Sequence, residues 1–403
     1  MKNGKRLRLL LAALALIGGV GAATAQAPVI DSLDELHFRF PKEKARAELV
    51  PGKVGGAVRF AFDADCRGTF FMSGIRGKPE WDQAAGFSFW VKGDGSDHLG
   101  GLEFIYDEDY AVRYDYAFPI RGTEWTKISV AWRDLIPVLP GPNARPLDPV
   151  SGNRPSKLSS LWIGKWWYWQ DYSAHSFALD DLRLEATLPQ DLKEYRPQGD
   201  PLARVRAKLK ARQPVTIVTM GDSLTDFHHW TNRQVSWPRL LKKQLEEKYG
   251  SQVTVDNPAI GGTQLRQNLV LLSRWLERVP EPDLVTICFG GNDWEAGMRG
   301  PEFEASLRDA VDRVRRATHG KADVLLMTTV PAIARWTTAT ELADAARKAA
   351  RERNAGVADT EKAFLAQEPI RAQLFASDKV HMGTAGHELL TKTVLAAIEG
   401  PGK

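Results

Sequence analysis

From Val215 to the C-terminus, short apolar runs rich in β-branched residues alternate regularly with amphipathic stretches. The strand-like runs begin at 215–220 and recur at 253–255, 284–289, 324–330 and 356–358, while helical periodicity marks 237–249, 265–276, 303–314, 340–353 and 388–398. Apolar runs of this kind are typical of buried parallel strands, and each intervening helix carries the chain back over the sheet. The pattern predicts a parallel sheet covered by helices on both faces.

The first of these strands ends abruptly in Gly221-Asp222-Ser223-Leu224-Thr225. Glycine allows a sharp turn, and the turn places Ser223 at the carboxyl end of a strand, where open α/β sheets bind their ligands. A serine becomes a nucleophile only when a base takes its proton and when donors stabilise the oxyanion. Ser223 is therefore a candidate nucleophile that needs partners elsewhere in the chain.

Three further stretches lie at strand ends or loops of the same region. Asn257-Pro258-Ala259-Ile260-Gly261-Gly262-Thr263 follows the second strand, Gly290-Gly291-Asn292-Asp293 follows the third, and Asp378-Lys379-Val380-His381 precedes the last helix. His381 is the histidine best placed to act as a base. Asp378, three residues earlier on the same loop, is positioned to bond the far ring nitrogen and fix the tautomer.

Together with 221–225, these blocks resemble the ordered blocks of the SGNH hydrolases, the GDSL esterase superfamily, over the whole second domain. The resemblance implies a flavodoxin-like α/β/α fold and a serine hydrolase that acts on carboxylic esters without a cofactor. The implied catalytic residues are Ser223, Asp378 and His381, and the implied oxyanion donors are the Ser223 and Gly262 backbone amides and the Asn292 side-chain amide. Gly261 is an alternative donor to Gly262. The order Ser…Asp…His and the missing G-x-S-x-G elbow separate this arrangement from the α/β-hydrolases.

Each block also has a plainer interpretation. Gly-Asp-Ser is compatible with a simple turn, Asn292-Asp293 with a loop cap, and His381 with a polar neighbour of the last helix. We expect Asp222 and Asp293 to accept hydrogen bonds from backbone amides and to shape their loops rather than to act as acids.

The N-terminal half, residues 30–187, contains short strand patterns, turns and aromatic residues but little helical periodicity. Strands are predicted at 87–91, 102–106, 112–118, 126–131, 161–164 and 177–184, and 137–155 reads as a long loop rich in Pro, Gly and Asn. Short strands separated by Gly, Asp and Pro predict an all-β sandwich.

This half resembles the galactose-binding-like jelly rolls, including the family 11 carbohydrate-binding modules. The resemblance rests on 87–95, on 125–130 followed by Asp134-Leu135, and on 177–184 with Asp180-Asp181. It implies a jelly roll that binds carbohydrate. A jelly roll followed by an SGNH domain is also similar to the family 2 carbohydrate esterases, although the N-terminal half is longer here.

Eight of the 13 tryptophans lie in the N-terminal half, and several cluster in Lys165-Trp166-Trp167-Tyr168-Trp169. Exposed rings can stack on sugar faces, whereas core-facing rings would stabilise the sandwich. Alternation along the run allows both, so Trp166, Trp167 and Trp169 are candidate substrate-binding residues. His228, in His228-His229-Trp230, and Trp294, beside Asn292, are two further candidates for lining the substrate pocket, and surface placement without contact is the alternative.

Residues 188–201 are polar, contain three prolines and lack periodicity, which predicts a linker before a hydrolase domain at 202–403. At the N-terminus, four basic residues precede an apolar run at 9–20, and Ala23-Thr24-Ala25 follows. This layout predicts a secretory signal peptide over residues 1–25 and an exported protein, periplasmic or secreted. An uncleaved membrane anchor is the alternative, although the run is short for a bilayer span.

Removing the signal peptide lowers the formal net charge from +4 to zero, because the segment contains four basic residues and no acidic ones. The basic precursor therefore does not predict a nucleic-acid partner, and no other apolar run is long enough to predict a membrane span. Cys66 and Cys288 have no histidines at metal-binding spacing nearby and predict no metal site. A structural calcium ion in the jelly roll remains open, without assigned ligands.

The leading hypothesis is an exported serine esterase that removes short acyl groups, acetyl above all, from carbohydrate. A lysophospholipase or thioesterase of the same superfamily is one alternative, and a non-catalytic carbohydrate-binding protein is another. The intact set of catalytic blocks argues against the last. The sequence does not determine the polysaccharide, the acyl-chain preference or the oligomeric state.

Overall fold

The computed structural model describes residues 28–39, 43–189, 191, 193–336 and 339–400, so the predicted signal peptide lies outside the described residues. The described chain begins with antiparallel strands that end at Glu185, and it continues from Ala203 with a parallel α/β arrangement. The predicted fold class, an all-β sandwich followed by an α/β/α domain, is confirmed. Within the described ranges, none of the helices is both long enough and apolar enough to cross a membrane.

Two antiparallel sheets form the first domain. Their strands are β1 (Val29–Asp31), β2 (Ala45–Pro51), β3 (Gly56–Phe62), β4 (Thr69–Ser73), β5 (Gly86–Gly93), β6 (Leu99–Tyr106), β7 (Asp109–Pro119), β8 (Thr126–Ala131), β9 (Ile136–Pro137), β10 (Leu158–Lys165) and β11 (His175–Glu185). One sheet has the order β2-β3-β11-β5-β8, with β1 also paired to β11, and the other has the order β4-β10-β6-β7-β9. Buried aromatic rings such as Phe60, Phe87 and Phe104 fill the space between the sheets.

Five strands of this domain were not predicted from the sequence: β1, β2, β3, β4 and β9. In β2 the residues Arg46 and Glu48 interrupt any apolar alternation, and the strand lies at the edge of its sheet with mostly exposed side chains. Edge strands carry polar and charged side chains that keep other chains from pairing with them. Their sequence therefore lacks the apolar pattern by which central strands are recognised.

The second domain has the predicted alternation of strands and helices. Its elements are α1 (Ala203–Lys210), β12 (Val215–Gly221), α2 (Trp237–Tyr249), β13 (Val253–Asp256), α3 (Leu265–Val270), α4 (Ser273–Leu276), β14 (Leu284–Cys288), α5 (Gly291–Glu295), α6 (Gly300–Ala317), β15 (Asp323–Met327), α7 (Thr340–Arg353), β16 (Gly356–Ala358), α8 (Thr360–Leu365) and α9 (Thr384–Glu399). The strands pair in parallel in the order β13-β12-β14-β15-β16. This is the strand order of flavodoxin-like sheets.

Alternate residues of β12 face the two opposite helix layers. Val218 and Met220 pack in the cluster that contains α3, α6 and α7, whereas Val215 and Ile217 pack in the cluster that contains α1, α2 and α9. A strand buried on both faces must be apolar at successive positions, which explains the unbroken run in the sequence. The helix predicted over 265–276 is instead divided into α3 and α4, because the Leu271 amide bonds the Asn268 carbonyl three residues back and tightens the turn.

The two domains share one continuous apolar interface. Helices α3 and α4 pack against β7 and β9 of the sandwich, and the shared cluster contains Trp166, Tyr168 and Trp169 from the first domain with Leu269 and Trp275 from the second. Since burial of apolar surface stabilises such contacts, the second domain covers the outer face of this sandwich sheet. The sandwich is therefore packed directly against helices α3 and α4 of the second domain.

Candidate active site

The turn after β12 presents Ser223 at the carboxyl end of the parallel sheet, as predicted. A Cβ atom at Gly221 would lie 2.4 Å from the Thr225 hydroxyl oxygen, so glycine is required by this close approach. The Asp222 carboxylate accepts a hydrogen bond from the Leu224 amide at 2.9 Å. The buried Asn232 side chain donates to the Ser223 carbonyl oxygen at 2.7 Å. These contacts hold the turn in one shape.

Ser223, His381 and Asp378 form a connected chain of hydrogen bonds. The His381 Nε2 atom lies 3.0 Å from Ser223 Oγ, and His381 Nδ1 lies 2.6 Å from Asp378 Oδ2. A carboxylate only accepts hydrogen bonds, so Nδ1 carries the proton and Nε2 is left to accept from the serine hydroxyl. The arrangement can remove a proton from Ser223 and hold it on the imidazole.

Asp378 is held in its ionised form by its surroundings. Partial burial acts to raise the pKa of Asp378, but the hydrogen bonds from the His381 ring and from the amides of Val380 and His381 outweigh it and lower the pKa below its usual value. Both amides bond Oδ1 at 3.0 Å, which leaves Oδ2 to the ring. The spacing Asp-x-x-His therefore lets one carboxylate oxygen bond the loop backbone while the other bonds the His381 ring.

The backbone amides of Ser223 and Gly262 donate to no acceptor among the described residues, and a Cβ atom on the neighbouring Gly261 would lie 3.6 Å from Ser223 Cβ. Gly262 has a φ of 78°, which favours glycine. The Gly261 amide, in contrast, donates to Asp226 Oδ2 at 3.1 Å. Because that N–H is already used, the structure favours Gly262 over Gly261 as an oxyanion donor.

The Asn292 side chain reaches the same region from α5. Its Nδ2 atom lies 3.1 Å from the Thr263 carbonyl oxygen and 3.3 Å from Asp222 Oδ2. An amide nitrogen has two hydrogens, so both are engaged in this state. Donation to an oxyanion requires Asn292 to exchange the longer of these contacts for the substrate.

Asp222 and Asp293 are fully buried beneath the site. Burial is the main cause that raises the pKa of each carboxyl group to about 7. Asp293 Oδ1 accepts the Leu265 amide at 3.0 Å, as Asp222 accepts that of Leu224. Both residues therefore bond backbone amides and shape their loops, as the sequence predicted.

The two histidines that follow the nucleophile, His228 and His229, have different environments. The His228 side chain is 93% exposed, so this candidate substrate-binding residue points into solvent. His229 instead packs on the catalytic-site ring, with centroids of His229 and His381 4.1 Å apart, and Trp230 lies 6.3 Å from His381. The ring that packs on His381 is therefore that of His229, and substrate contact by His228 stays a prediction.

The tryptophans of the run 165–169 also differ in their exposure. Trp166 and Trp169 are 6% and 2% exposed and belong to the interdomain core, whereas Trp167 is 60% exposed. Burial against α3 and α4 corrects the substrate-binding prediction for Trp166 and Trp169 and leaves Trp167 as the candidate. Trp294 is half-buried, and the Arg299 guanidinium lies 4.0 Å from its ring centroid. Its proposed contact with substrate stays a prediction.

Sequence reasoning missed Asp226, Asn232 and Gln170. Asp226 bonds the Gly261 amide, Asn232 bonds the Ser223 carbonyl, and Gln170 Nε2 donates to the Gly261 carbonyl oxygen at 2.8 Å. Gln170 belongs to the first domain, so this contact ties the sandwich to the loop that carries Gly262. The partners of Asp226 and Gln170 are 35 and 91 residues away, so no local pattern identifies these two residues.

Comparison with known proteins agrees with the predicted resemblance. The model of the GDSL-like lipase/acylhydrolase family matches residues 219–389, a range that contains the five proposed catalytic and oxyanion residues. This part of the chain is therefore a GDSL-like lipase/acylhydrolase domain, which supports an ester-hydrolysing enzyme. No curated protein matches the chain.

Several solved structures are similar to part of the chain. A lipase/acylhydrolase from Enterococcus faecalis is 25% identical and aligns over 46% of this chain and 95% of that chain, with a TM-score of 0.39. An acetylxylan esterase from Geobacillus stearothermophilus is 25% identical over the same shares, with a TM-score of 0.38. A psychrotrophic esterase from Pseudoalteromonas sp. is 20% identical over 46% of this chain and 96% of that chain, with a TM-score of 0.38.

Proposed function

We propose that this protein is an exported serine esterase that removes short acyl groups, acetyl above all, from carbohydrate. The observation that carries the catalytic part is the chain of contacts from Ser223 Oγ to His381 Nε2 at 3.0 Å and from His381 Nδ1 to Asp378 Oδ2 at 2.6 Å. The export rests on the signal-peptide pattern of residues 1–25. The carbohydrate substrate rests on the aromatic jelly roll beside the site.

In the first step, Ser223 Oγ attacks the ester carbonyl carbon while His381 Nε2 takes the hydroxyl proton. The carbonyl oxygen becomes an oxyanion, which the amides of Ser223 and Gly262 and the side chain of Asn292 stabilise. Each such donor contributes about 3–4 kcal/mol to the transition state. His381 then gives its proton to the leaving alkoxide oxygen, and the acyl group remains on Ser223.

In the second step, water attacks the acyl-enzyme. His381 takes a proton from this water, a second tetrahedral oxyanion forms in the same site, and the carboxylic acid leaves as Ser223 Oγ recovers its proton. Asp378 holds the ring and stabilises the imidazolium in both steps. No cofactor takes part in this sequence.

The support for a carbohydrate substrate comes from the surface next to the site. Trp167 lines a cavity of about 200 Å³ at the junction of the domains, together with Phe70, Lys165 and Gln267. An exposed tryptophan ring beside polar side chains suits a sugar, which has apolar faces and polar edges. Gln170, three residues after Trp167 in the same segment, donates to the Gly261 carbonyl oxygen, which supports a role of this segment in substrate binding.

The decisive experiment combines labelling with a substrate series. A serine-directed phosphonate should label the full chain at Ser223, and Ser223→Ala should abolish labelling and ester turnover. Acetyl esters should be hydrolysed faster than long-chain esters, and an acetylated polysaccharide should release acetate. A preference for long acyl chains would favour the lysophospholipase or thioesterase alternative. Absence of labelling and of turnover would favour a non-catalytic carbohydrate-binding protein.

A further inference from the structure

Two histidines and an aspartate meet at one end of the sandwich, outside the candidate active site. His98 directly precedes β6, Asp171 lies between β10 and β11, and His175 begins β11. Each side chain offers a donor atom, and these atoms all lie within 4.8 Å of one another. His98 Nδ1 is 2.7 Å from Asp171 Oδ2, and the two imidazole rings have centroids 4.9 Å apart.

The His175 ring has a nitrogen that no described residue satisfies. The residue is 4% exposed, its Nδ1 lies 3.0 Å from the Ser173 carbonyl oxygen, and its Nε2 is buried without a hydrogen-bond partner. A carbonyl oxygen only accepts, so Nδ1 carries the hydrogen and Nε2 has a free lone pair. A buried, unpaired acceptor is unfavourable unless a ligand reaches it.

We propose that His98, Asp171 and His175 bind a divalent transition-metal ion of the zinc type. Two imidazole nitrogens and one carboxylate oxygen suit zinc, whereas calcium and magnesium prefer oxygen donors alone. The bond from His175 Nδ1 to a backbone carbonyl is the outer contact that orients metal-binding histidines. Ligand atoms about 2.0–2.2 Å from zinc in a tetrahedron lie roughly 3.3–3.6 Å apart, within the spread of this cluster.

Lys165 carries a positive charge that opposes such an ion, and the Arg274 guanidinium also interacts with Asp171. The Lys165 Nζ atom donates to the Asp171 carbonyl oxygen at 2.9 Å, and the side chain is buried. A positive charge so close to the cluster weakens the binding of a cation. Removing that charge with Lys165→Met should therefore tighten metal binding.

The position of the cluster also connects it to the oxyanion loop. Asp171 follows Gln170, whose side chain bonds the Gly261 carbonyl oxygen. An ion held by Asp171 would tie the segment between β10 and β11 to the sandwich at His98 and His175. It would thereby fix the contact between the first domain and the loop that carries Gly262.

The test is a calorimetric titration of the chelator-stripped full chain with Zn²⁺, and Co²⁺ absorption reports the ligand environment. The proposal expects one equivalent of Zn²⁺ per chain. His98→Asn and His175→Gln should each weaken binding by about 10–100-fold, and Lys165→Met should tighten it. His319→Gln, which alters an exposed histidine elsewhere, should bind as the wild type.

Two variants are needed because His175 is buried and its replacement can disturb folding, whereas the His98 side chain is 24% exposed. The melting curve of each variant is recorded before titration. No binding by the wild type, or wild-type affinity in a folded His98→Asn variant, would overturn the proposal. Loss of zinc binding in His381→Asn would place the ion in the catalytic site and overturn it as well.

Discussion

The imidazole ring of His229 packs against that of His381, with ring centroids 4.1 Å apart and planes inclined at 32°. Burial, followed by the proximity of His381, lowers the pKa of His229 to about 4. His229 is therefore neutral over the range in which an esterase base works. A neutral ring beside His381 does not repel the imidazolium that forms there during catalysis, whereas a second positive charge would destabilise that imidazolium.

This contact predicts the effect of placing a permanent charge at His229. His229→Lys should disfavour protonated His381, so the acid limb of the kcat/KM profile should move to lower pH by about 0.5–1 unit. The kcat should fall roughly tenfold, since the transition state contains the imidazolium. His229→Phe preserves a neutral ring and should leave the limb in place. His228→Lys, with its side chain in solvent, is the matched control, and an equal shift in both lysine variants would contradict a specific contact.

The role of Asp378 predicts a graded loss of activity. Asp378→Asn retains the side-chain shape but removes the negative charge that orients and stabilises the ring, so kcat should fall by about 10²–10⁴-fold. Ser223→Ala should lose at least as much, and His381→Ala should match it because the two residues act together. Steady-state kinetics on a small acetyl ester measure all three. Unchanged activity in Asp378→Asn would indicate a Ser-His dyad.

The buried carboxyl group of Asp293 predicts a contribution to the free energy of unfolding that depends on pH. Its carboxyl group has a pKa of about 7 in the folded protein and about 4 when unfolded. A raised folded pKa contributes stability that is complete below about pH 4 and is lost as pH rises through about 7. Asp293→Asn preserves an acceptor for the Leu265 amide but cannot ionise.

Urea unfolding of Asp293→Asn and wild type at pH 5 and pH 8 measures this term. The free energy of unfolding of the variant, relative to wild type, should be higher at pH 8 than at pH 5 by about 1–3 kcal/mol. Asp97→Asn, which alters an exposed carboxylate, is the control for the loss of one carboxyl group. If the difference in free energy of unfolding between the variant and the wild type were the same at pH 5 and pH 8, Asp293 would not titrate in this range.

The divided tryptophan run predicts two different kinds of variant. Trp167→Ala should leave the melting temperature unchanged and raise KM for acetylated polysaccharide by about tenfold, with little effect on a small acetyl ester. Trp166→Ala and Trp169→Ala should instead lower the free energy of unfolding by about 3–5 kcal/mol, because both rings lie in the interdomain core. Calorimetric melting and the two substrates separate these outcomes. Normal polysaccharide kinetics in Trp167→Ala would remove the main support for sugar contact by this run.

Local patterns in the sequence were sufficient for the central elements. The apolar run before Gly221, the helix that ends at Gly250 and the strand over 126–131 all lie where the sequence predicted them, because each depends on residues close together in the chain. The Asp-x-x-His spacing also placed Asp378 against His381 for a local reason, since one short loop carries both residues. The edge strand β2 was missed because most of its side chains face solvent, so its sequence lacks the apolar alternation of a strand that packs on a core.

Non-local packing decided the rest. Whether Gly261 or Gly262 has a free amide depends on Asp226, which is 35 residues away. Which tryptophans are buried depends on helices α3 and α4, and the cluster of His98, Asp171 and His175 forms because three separate segments meet. The sequence alone therefore determined the strands of the second domain and the order of the catalytic blocks, since periodicity and turn chemistry act over a few residues. Only the tertiary structure decided which polar groups are already paired and which face a ligand, because those contacts join residues that are distant in the chain.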